Sequence, residues 1–181
     1  MTIDRQPFLS GALVALRPLR SADLPALQAV ASDPRIWEQH PAKDRIEPAA
    51  FGRWFDDALA SGGALTVLSQ DQHAIIGSSR FDHFDRSRSE IEIGWTFIAR
   101  SYWGGAYNGE IKQLMLRHAF GSVRNVVFKI HSDNMRSRRA VEKLGAIGIA
   151  LEPDAEGRGD NCVYRLERTA YFEQAESSAP R

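Results

Sequence analysis

The stretch Trp95-Thr96-Phe97-Ile98-Ala99-Arg100-Ser101-Tyr102-Trp103-Gly104-Gly105-Ala106-Tyr107-Asn108-Gly109-Glu110 passes from a strand through a glycine turn into the first turn of a helix. Upstream, Ile91, Ile93 and Trp95 alternate with Glu90, Glu92 and Gly94, the period of a half-buried strand. Downstream, Tyr107, Ile111, Leu114, Met115 and His118 recur at helical spacing as one stripe, with Glu110, Lys112, Gln113 and Arg117 on the opposite face. The small residues Gly104, Gly105 and Ala106 let a ligand approach the main chain, and the first N–H groups of a helix have no partner within it. Such a turn is a candidate cradle for a diphosphate. It has neither the Lys-Ser or Lys-Thr pair of a nucleoside-triphosphate loop nor the three-glycine spacing of a dinucleotide fold.

A second strand-to-helix passage follows. Val126-Val127-Phe128-Lys129-Ile130-His131-Ser132 is β-branched and aromatic, and it ends just before Asp133-Asn134-Met135-Arg136-Ser137-Arg138-Arg139-Ala140-Val141-Glu142-Lys143-Leu144-Gly145. Asp133 or Asn134 can cap this helix, Ala140, Val141 and Leu144 supply its apolar stripe, and Gly145 suits the residue after a basic last turn.

With both passages in view, Glu92 to Gly145 resembles the GCN5-related N-acetyltransferase (GNAT) superfamily. The pattern Asn-x-x-Ser-x-x-Ala-x-Glu-Lys-Leu-Gly after a strand, with Trp-Gly-x-Ala upstream, is similar to its ribosomal-protein N-terminal acetyltransferase-like (RimJ/RimL) branch. Gly11 to Leu19 and Asp160 to Tyr164 suit the same branch, so the likeness extends over nearly the whole chain. The resemblance implies an acetyl-coenzyme A dependent N-acetyltransferase, with direct transfer of the acetyl group to an amine and no metal. It implies that the strand Trp95, Thr96, Phe97, Ile98 pairs with the amides of the pantetheine arm, and that Trp103, Gly104, Gly105, Ala106, Tyr107 and Asn108 hold the pyrophosphate. Asn134 and Ser137 would meet the pantetheine near the sulfur, and Arg138, Arg139 or Lys143 the nucleotide phosphates.

The chain departs from the family pattern twice. Ser101 stands where many members have Gln or Arg, and Val141 stands where many have a tyrosine that protonates the departing thiolate. In the RimJ/RimL-like branch that duty is associated with the helix serine, here Ser137. The attacking amine must lose its proton, and an α-amine, with a pKa of about 7.8, needs less help than a lysine type at about 10.4. The candidate bases are Glu92 on the cofactor strand and Glu152 or Glu156 before the final strand. Branch spacing from Ser137 favours Glu156, and a shorter connection favours Glu152. A rival reading, a non-catalytic coenzyme A binding or sensing protein, would keep the cradle and lose the acid and base.

Composition narrows the classes. The chain has 181 residues, 43% hydrophobic and 25% charged, and suits a single domain over residues 1–173 with a frayed polar tail at 174–181. A net charge of +0 disfavours a nucleic-acid surface. The five histidines, His40, His73, His83, His118 and His131, lack metal-ligand spacing, so no metal is expected. The single Cys162 fits a reducing compartment, and the absence of a long apolar run or a signal-peptide core fits a cytoplasmic protein without a membrane partner. An amine acceptor is the expected partner, and a homodimer is open to it.

Along the chain, strands are expected at Ala12 to Arg17, Ala64 to Ser69, Ala74 to Phe84, Ser89 to Ile98, Val126 to Ser132, Ile147 to Leu151 and Cys162 to Glu167. A helix is expected from Ser21, as N-cap, to Ser32, and a second from the stripe Phe51, Trp54, Phe55 and Leu59. Polar hairpin connections at Gln70 to Gln72 and Asp85 to Arg88 make their flanking strands antiparallel. The fold class is therefore α/β (α+β), a mixed and mostly antiparallel central sheet of about seven strands with helices on both faces. Acceptor specificity falls to the early helical region, where Trp37 and His40 are the pocket candidates and Phe51, Trp54 and Phe55 read as core.

Overall fold

The computed structural model describes residues 2–155 and 157–177. One eight-stranded sheet runs through it in the order β1-β2-β3-β4-β5-β6-β8-β7. Its strands are β1 (Leu9–Ser10), β2 (Val14–Pro18), β3 (Ala64–Ser69), β4 (Ile75–Asp85), β5 (Glu90–Ile98), β6 (Asn125–His131), β7 (Ile147–Pro153) and β8 (Asp160–Glu167). The seven expected strands are present, and the short β1 joins them as an edge. Every pairing is antiparallel except β5 with β6. A parallel pair needs a crossover, and helix α3 supplies it.

The helices are α1 (Leu24–Ala31), α2 (Pro48–Ala60), α3 (Tyr107–Phe120), α4 (Met135–Glu142) and α5 (Arg168–Ser177). They cover the two sheet faces and enclose two apolar clusters. In one, Ile111, Met115, Leu116, Ala119 and Phe120 of α3 pack with Val14, Leu16, Phe81, Ile91, Ile93, Val126 and Phe128. In the other, Leu27 of α1 and Phe51, Trp54 and Phe55 of α2 pack with Trp37 and Phe97. Each fully buried side chain of this size contributes about 1.5–3 kcal/mol relative to exposure. Gln174, expected in a frayed tail, is helical in α5 and donates to the Lys143 carbonyl at 3.2 Å, while residues 178–181 lie outside the described part.

Two expectations about helix edges need correction. Ser21 opens a 3-10 turn rather than capping α1, and the acid that organises this start is Asp23. Its carboxylate accepts from both terminal nitrogens of Arg17 at 2.7 Å, from Thr66 Oγ1 at 2.7 Å and from the Arg20 N–H at 3.0 Å. Burial pushes this carboxyl up, and those hydrogen bonds outweigh it, holding it below the usual range.

The polar face assigned to α3 is also wrong in part. Tyr107, Leu114 and His118 are half-buried edges of the stripe, Lys112 is buried, and Glu110 faces the β1–β2 connection. The reason is tertiary: α3 is wedged between the sheet and that connection, so more than one stripe of its surface is covered. Glu110 accepts the N–H groups of Ala12, Leu13 and Val14 at 2.9, 2.7 and 2.8 Å. A Cβ at Gly11 would lie 2.5 Å from the Glu110 Cδ, so only glycine lets the carboxylate this close.

Charge-assisted hydrogen bonds contribute about 1.5–3 kcal/mol each when isolated, and these three share one acceptor group. Glu110→Ala is therefore expected to lower unfolding free energy in urea by about 2–4 kcal/mol. Glu110→Gln should fall between it and the wild type. An Ala variant as stable as the wild type would remove this anchor.

Candidate active site

The parallel pairing of β5 and β6 stops early. It joins Glu90 to Asn125, Ile91 to Val126 and Glu92 to Val127, although β5 continues to Ile98 and β6 to His131. Beyond Glu92 the strands part, and a wedge opens whose arms are residues 93–98 and 128–131. Each arm stays paired on its outer side, β5 with β4 and β6 with β8 as far as His131 and Asn161. The inner edges present main-chain groups with no strand opposite them, and such groups call for a partner.

Local geometry at β5 supports the parting. The β4–β5 register passes from Ser78↔Phe97 to Arg80↔Gly94, which leaves Trp95 and Thr96 facing Ser79 alone, a bulge. Trp95 takes φ 51, the left-handed region. The Arg80 guanidinium lies 4.6 Å over the Trp95 ring while pairing with Asp57 of α2 at 2.8 Å, which fixes the bulge from outside. Phe97 and Ile98 are buried in opposite clusters, so this arm is anchored on both faces.

At the mouth of the wedge, the Trp103 Nε1–H donates to the Ile98 carbonyl at 3.0 Å, and Tyr102 meets Tyr107 edge-on with ring centroids 4.8 Å apart. Between these props Gly104 takes φ 73, which favours glycine, and Gly104, Gly105 and Ala106 are exposed. Among the described residues no main-chain carbonyl accepts from the N–H groups of these three. They precede the start of a 14-residue helix, with Tyr107 and Asn108 in its first turn, where N–H groups have no partner within the helix.

Helix α4 begins across the wedge. Asn134 is its N-cap, its side-chain oxygen accepting from the Ser137 N–H at 3.1 Å. That occupies the oxygen, and the described residues offer the Asn134 Nδ2 no acceptor. Ser137 is half-buried one turn into the helix, Arg139 and Lys143 are exposed, and Val141 is buried in the core. Arg138 is used structurally: it donates to Tyr164 Oη at 2.9 Å and to the Ser132 carbonyl at 2.9 Å. Arg136, which no motif singled out, lies 4.1 Å over the Trp103 ring and donates to the Ile36 carbonyl at 3.3 Å. It ties the glycine turn, α4 and the early helical region together, and burial lowers its pKa.

The candidate bases separate clearly. Glu92 stands at the wedge apex, 5% exposed, with His83 Nδ1 2.9 Å from its Oε2. Burial pushes its carboxyl up, and His83 and Lys129 moderate the shift. Strand alternation shows its side but not its burial, which comes with neighbours such as His83 of β4 and Lys129 of β6. Glu152 instead accepts from Lys129 Nζ at 2.8 Å on the β7 side. Glu156 lies outside the described residues.

On the acceptor side, Trp37 is 3% exposed and its Nε1–H donates to the Ala31 carbonyl at 2.7 Å, so it is packing that carries His40. His40 meets that ring edge-on at 5.5 Å, and its Nδ1 accepts from the Ala42 N–H at 3.0 Å. Burial, with Arg45, Arg158 and His131 nearby, lowers its pKa to about 3. His131 accepts on Nδ1 from the Asp133 N–H at 3.3 Å, which leaves its Nε2 to donate to the Arg158 carbonyl at 2.9 Å. Cys162 is half-buried against the core.

The wedge also holds a cation that the sequence had placed on a solvated face. Lys112 is 8% exposed, its Nζ donates to Thr96 Oγ1 at 2.6 Å, and it lies 5.9 Å from the Phe128 ring centroid. Burial lowers its pKa to about 8. Among the described residues there is no cluster of side chains able to hold a metal ion, and no helix long and apolar enough to cross a membrane.

Residues 14–147 match the family model described as Acetyltransferase (GNAT) domain. Comparison with curated proteins finds no match. Among solved structures, the chain is similar to a GCN5-related N-acetyltransferase from Brucella melitensis, at 21% identity and TM-score 0.82 over 97% of this chain and 86% of that one. It is similar to RimJ from Mycobacterium smegmatis in complex with CoA-disulfide, at 16% identity and TM-score 0.74 over 97% of each chain. It is also similar to an acetyltransferase from Agrobacterium tumefaciens, at 25% identity and TM-score 0.69 over 90% of this chain and 95% of that one.

Two outcomes follow from this geometry. Asn134→Ala removes the cap of α4 and is expected to cost about 1 kcal/mol in denaturant unfolding. His40, with its folded pKa about 3, is neutral in the fold while the unfolded chain binds a proton below about 6.5. Its contribution therefore weakens the fold as pH falls from about 6.5 toward 3, by up to about 1.4 kcal/mol per unit. Imidazole NMR should show no His40 titration above pH 4, and a midpoint near 6 would overturn this setting.

Proposed function

Because the chain belongs to the GNAT acetyltransferase family and is an acetyl-transferring enzyme, we propose that it moves the acetyl group of acetyl-coenzyme A to an amine by direct attack in a ternary complex. One observation carries the reading: a wedge between β5 and β6 with a buried carboxyl at its apex and a donor-rich glycine turn at its mouth. The chemistry of the two ends fits the two ends of the substrate. A diphosphate suits main-chain donors at a helix start, and the amides of a pantetheine arm suit the unpaired inner edge of Trp95, Thr96, Phe97 and Ile98. Ser137 and the Asn134 Nδ2 flank the arm from α4, and Arg139 and Lys143 extend toward the nucleotide phosphates.

Glu92 is the base. Its raised pKa lets it hold the proton released by an amine, and its ionised form is the active one. His83 acts through it as a positioning residue. Ser137 hydrogen-bonds the leaving sulfur, as the branch resemblance implies. Holding thioester and amine in contact supplies much of the rate, so the acid and base are asked for modest help. His40, supported by Trp37, borders the acceptor. The exposed apolar residues of edge strand β7, Ile147 and Leu151, each 62% exposed, support a homodimer contact.

Thermal shift with acetyl-coenzyme A and thiol release across a panel of peptide α-amines, polyamines, amino acids and aminoglycosides test this reading. Binding with turnover on at least one class is expected; binding without release across the panel overturns the transfer reading. Glu92→Gln should leave acetyl-coenzyme A binding intact and lower kcat on the order of 100-fold. In the wild type, kcat should fall as pH drops through a midpoint above the ordinary carboxylate range, and that limb should vanish in the variant.

A further inference from the structure

The acid and base named above leave one buried charge in the wedge without a use. We propose that the Lys112 ammonium supplies the counter-charge and the proton for the departing sulfur, which Ser137 only orients by its hydrogen bond; Val141 has no group for either task. This rests on the acetyl-transfer reading.

The geometry is specific. Lys112 lies on the second turn of α3, a helix that starts at the wedge mouth and runs back toward its closed end. Its Nζ is held by Thr96 of one arm and lies beside the Phe128 ring of the other, between the apex at Glu92 and the mouth at Ile98. A chain laid between the arms from the glycine turn to Glu92 would run past residues 96 and 128, the two positions that Lys112 touches. Thr96 Oγ1 is in turn 2.7 Å from Ser79 Oγ of β4, so the tether is itself anchored.

An ammonium in this setting is costly unless something anionic meets it. Among the described residues no carboxylate lies within ion-pair distance of Lys112, and Thr96 is its hydrogen-bond acceptor. The groups facing it are Thr96 from β5, Ser79 behind it from β4 and Phe128 from β6, none of them charged. The acids nearest in sequence are engaged elsewhere, Glu110 on the β1–β2 connection and Glu92 with His83. A long apolar stem with the charge drawn inward is the reverse of the usual solvent-seeking lysine. A group that is neutral at rest and gains negative charge during reaction fits such a site, and in a thioester the sulfur is that group.

The step balances. The amine lone pair forms the C–N bond and the carbonyl π pair moves to oxygen. That pair then re-forms the carbonyl as the C–S bond breaks with both its electrons going to sulfur. The sulfur takes a proton from Lys112, Glu92 holds the proton from the amine, and both side chains re-equilibrate with water. The products are the amide and the free thiol.

The test uses the full-length protein with coenzyme A, whose bound thiol is titrated by thiolate ultraviolet absorbance. In the wild type the bound thiol should titrate at least about one pH unit below the free thiol, as an adjacent cation requires. In Lys112→Met the shift should disappear, whereas Lys112→Arg, which keeps the charge, should retain it. With a competent amine, wild-type kcat should decline at alkaline pH with a midpoint near the Lys112 pKa of about 8, and Lys112→Arg should lose that limb. Should Lys112→Met fail to fold, the wild-type titration decides alone. Coenzyme A that binds with an unshifted thiol overturns the role of Lys112 and leaves the acetyl-transfer reading standing. Failure of the wild type to bind coenzyme A overturns that reading, and this inference falls with it.

Discussion

The separation of β5 from β6 beyond the Glu92–Val127 pair is the constraint on which the site depends. Two parallel strands inside a sheet would ordinarily stay paired, because each unpaired N–H or carbonyl loses a hydrogen bond. Here the loss is confined to the inner edges, while β4 and β8 keep the outer edges paired almost to the strand ends. The bulge at Trp95 and Thr96 turns one arm away, and Arg80, stacked on Trp95 and paired with Asp57, fixes the turn. A groove with free main-chain donors and acceptors results, open at one end and closed by a buried carboxyl at the other.

The two helices bordering the groove are tethered on the sides away from it. Glu110 fastens the start of α3 to the β1–β2 connection through three main-chain donors. Tyr164 of β8 donates to Glu142 at 2.7 Å and accepts from Arg138, which fastens α4. The helix starts are thereby free to face the groove without having to hold the fold together. Arg136 over Trp103 joins α4 to the turn before α3, and through Ile36 it reaches the region proposed to receive the acceptor.

Electrostatics in the groove follow from burial more than from net charge, which is zero. Glu92 is pushed up, Lys112 down and His40 far down, all chiefly by desolvation. These shifts favour the neutral form of each group; those of Glu92 and Lys112 bring their titration toward neutral pH, where an acid or base can exchange protons, whereas His40 is carried away from it and stays neutral. They also show why composition carried no trace of the site: the groups involved are common residues in uncommon surroundings.

The strand-turn-helix passages at Glu90 to Glu110 and Val126 to Gly145 were legible from periodicity, glycine and cap chemistry, because those signals are local and each residue states its own preference. A cap at Asp133 or Asn134, of which the structure uses Asn134, the left-handed Gly104 and Gly145, and the strand Ala64–Ser69 could be read in this way. What sequence could not decide was burial imposed from a distance. Trp37 reads as a pocket wall and is core, Lys112 reads as a solvated face and is buried, Glu92 reads as a candidate base on an alternating strand with nothing to mark its burial, and Glu110 reads as surface charge and is an anchor. Helical and strand periods describe one element against an undefined interior, whereas these four residues are set by which second and third elements close over them. The sequence by itself determined the order and type of the elements apart from the short β1 and α5; the sheet order, and with it the wedge and the charges enclosed there, belongs to the tertiary structure, since only long-range pairing can bring β5, β6, α3 and α4 around one point.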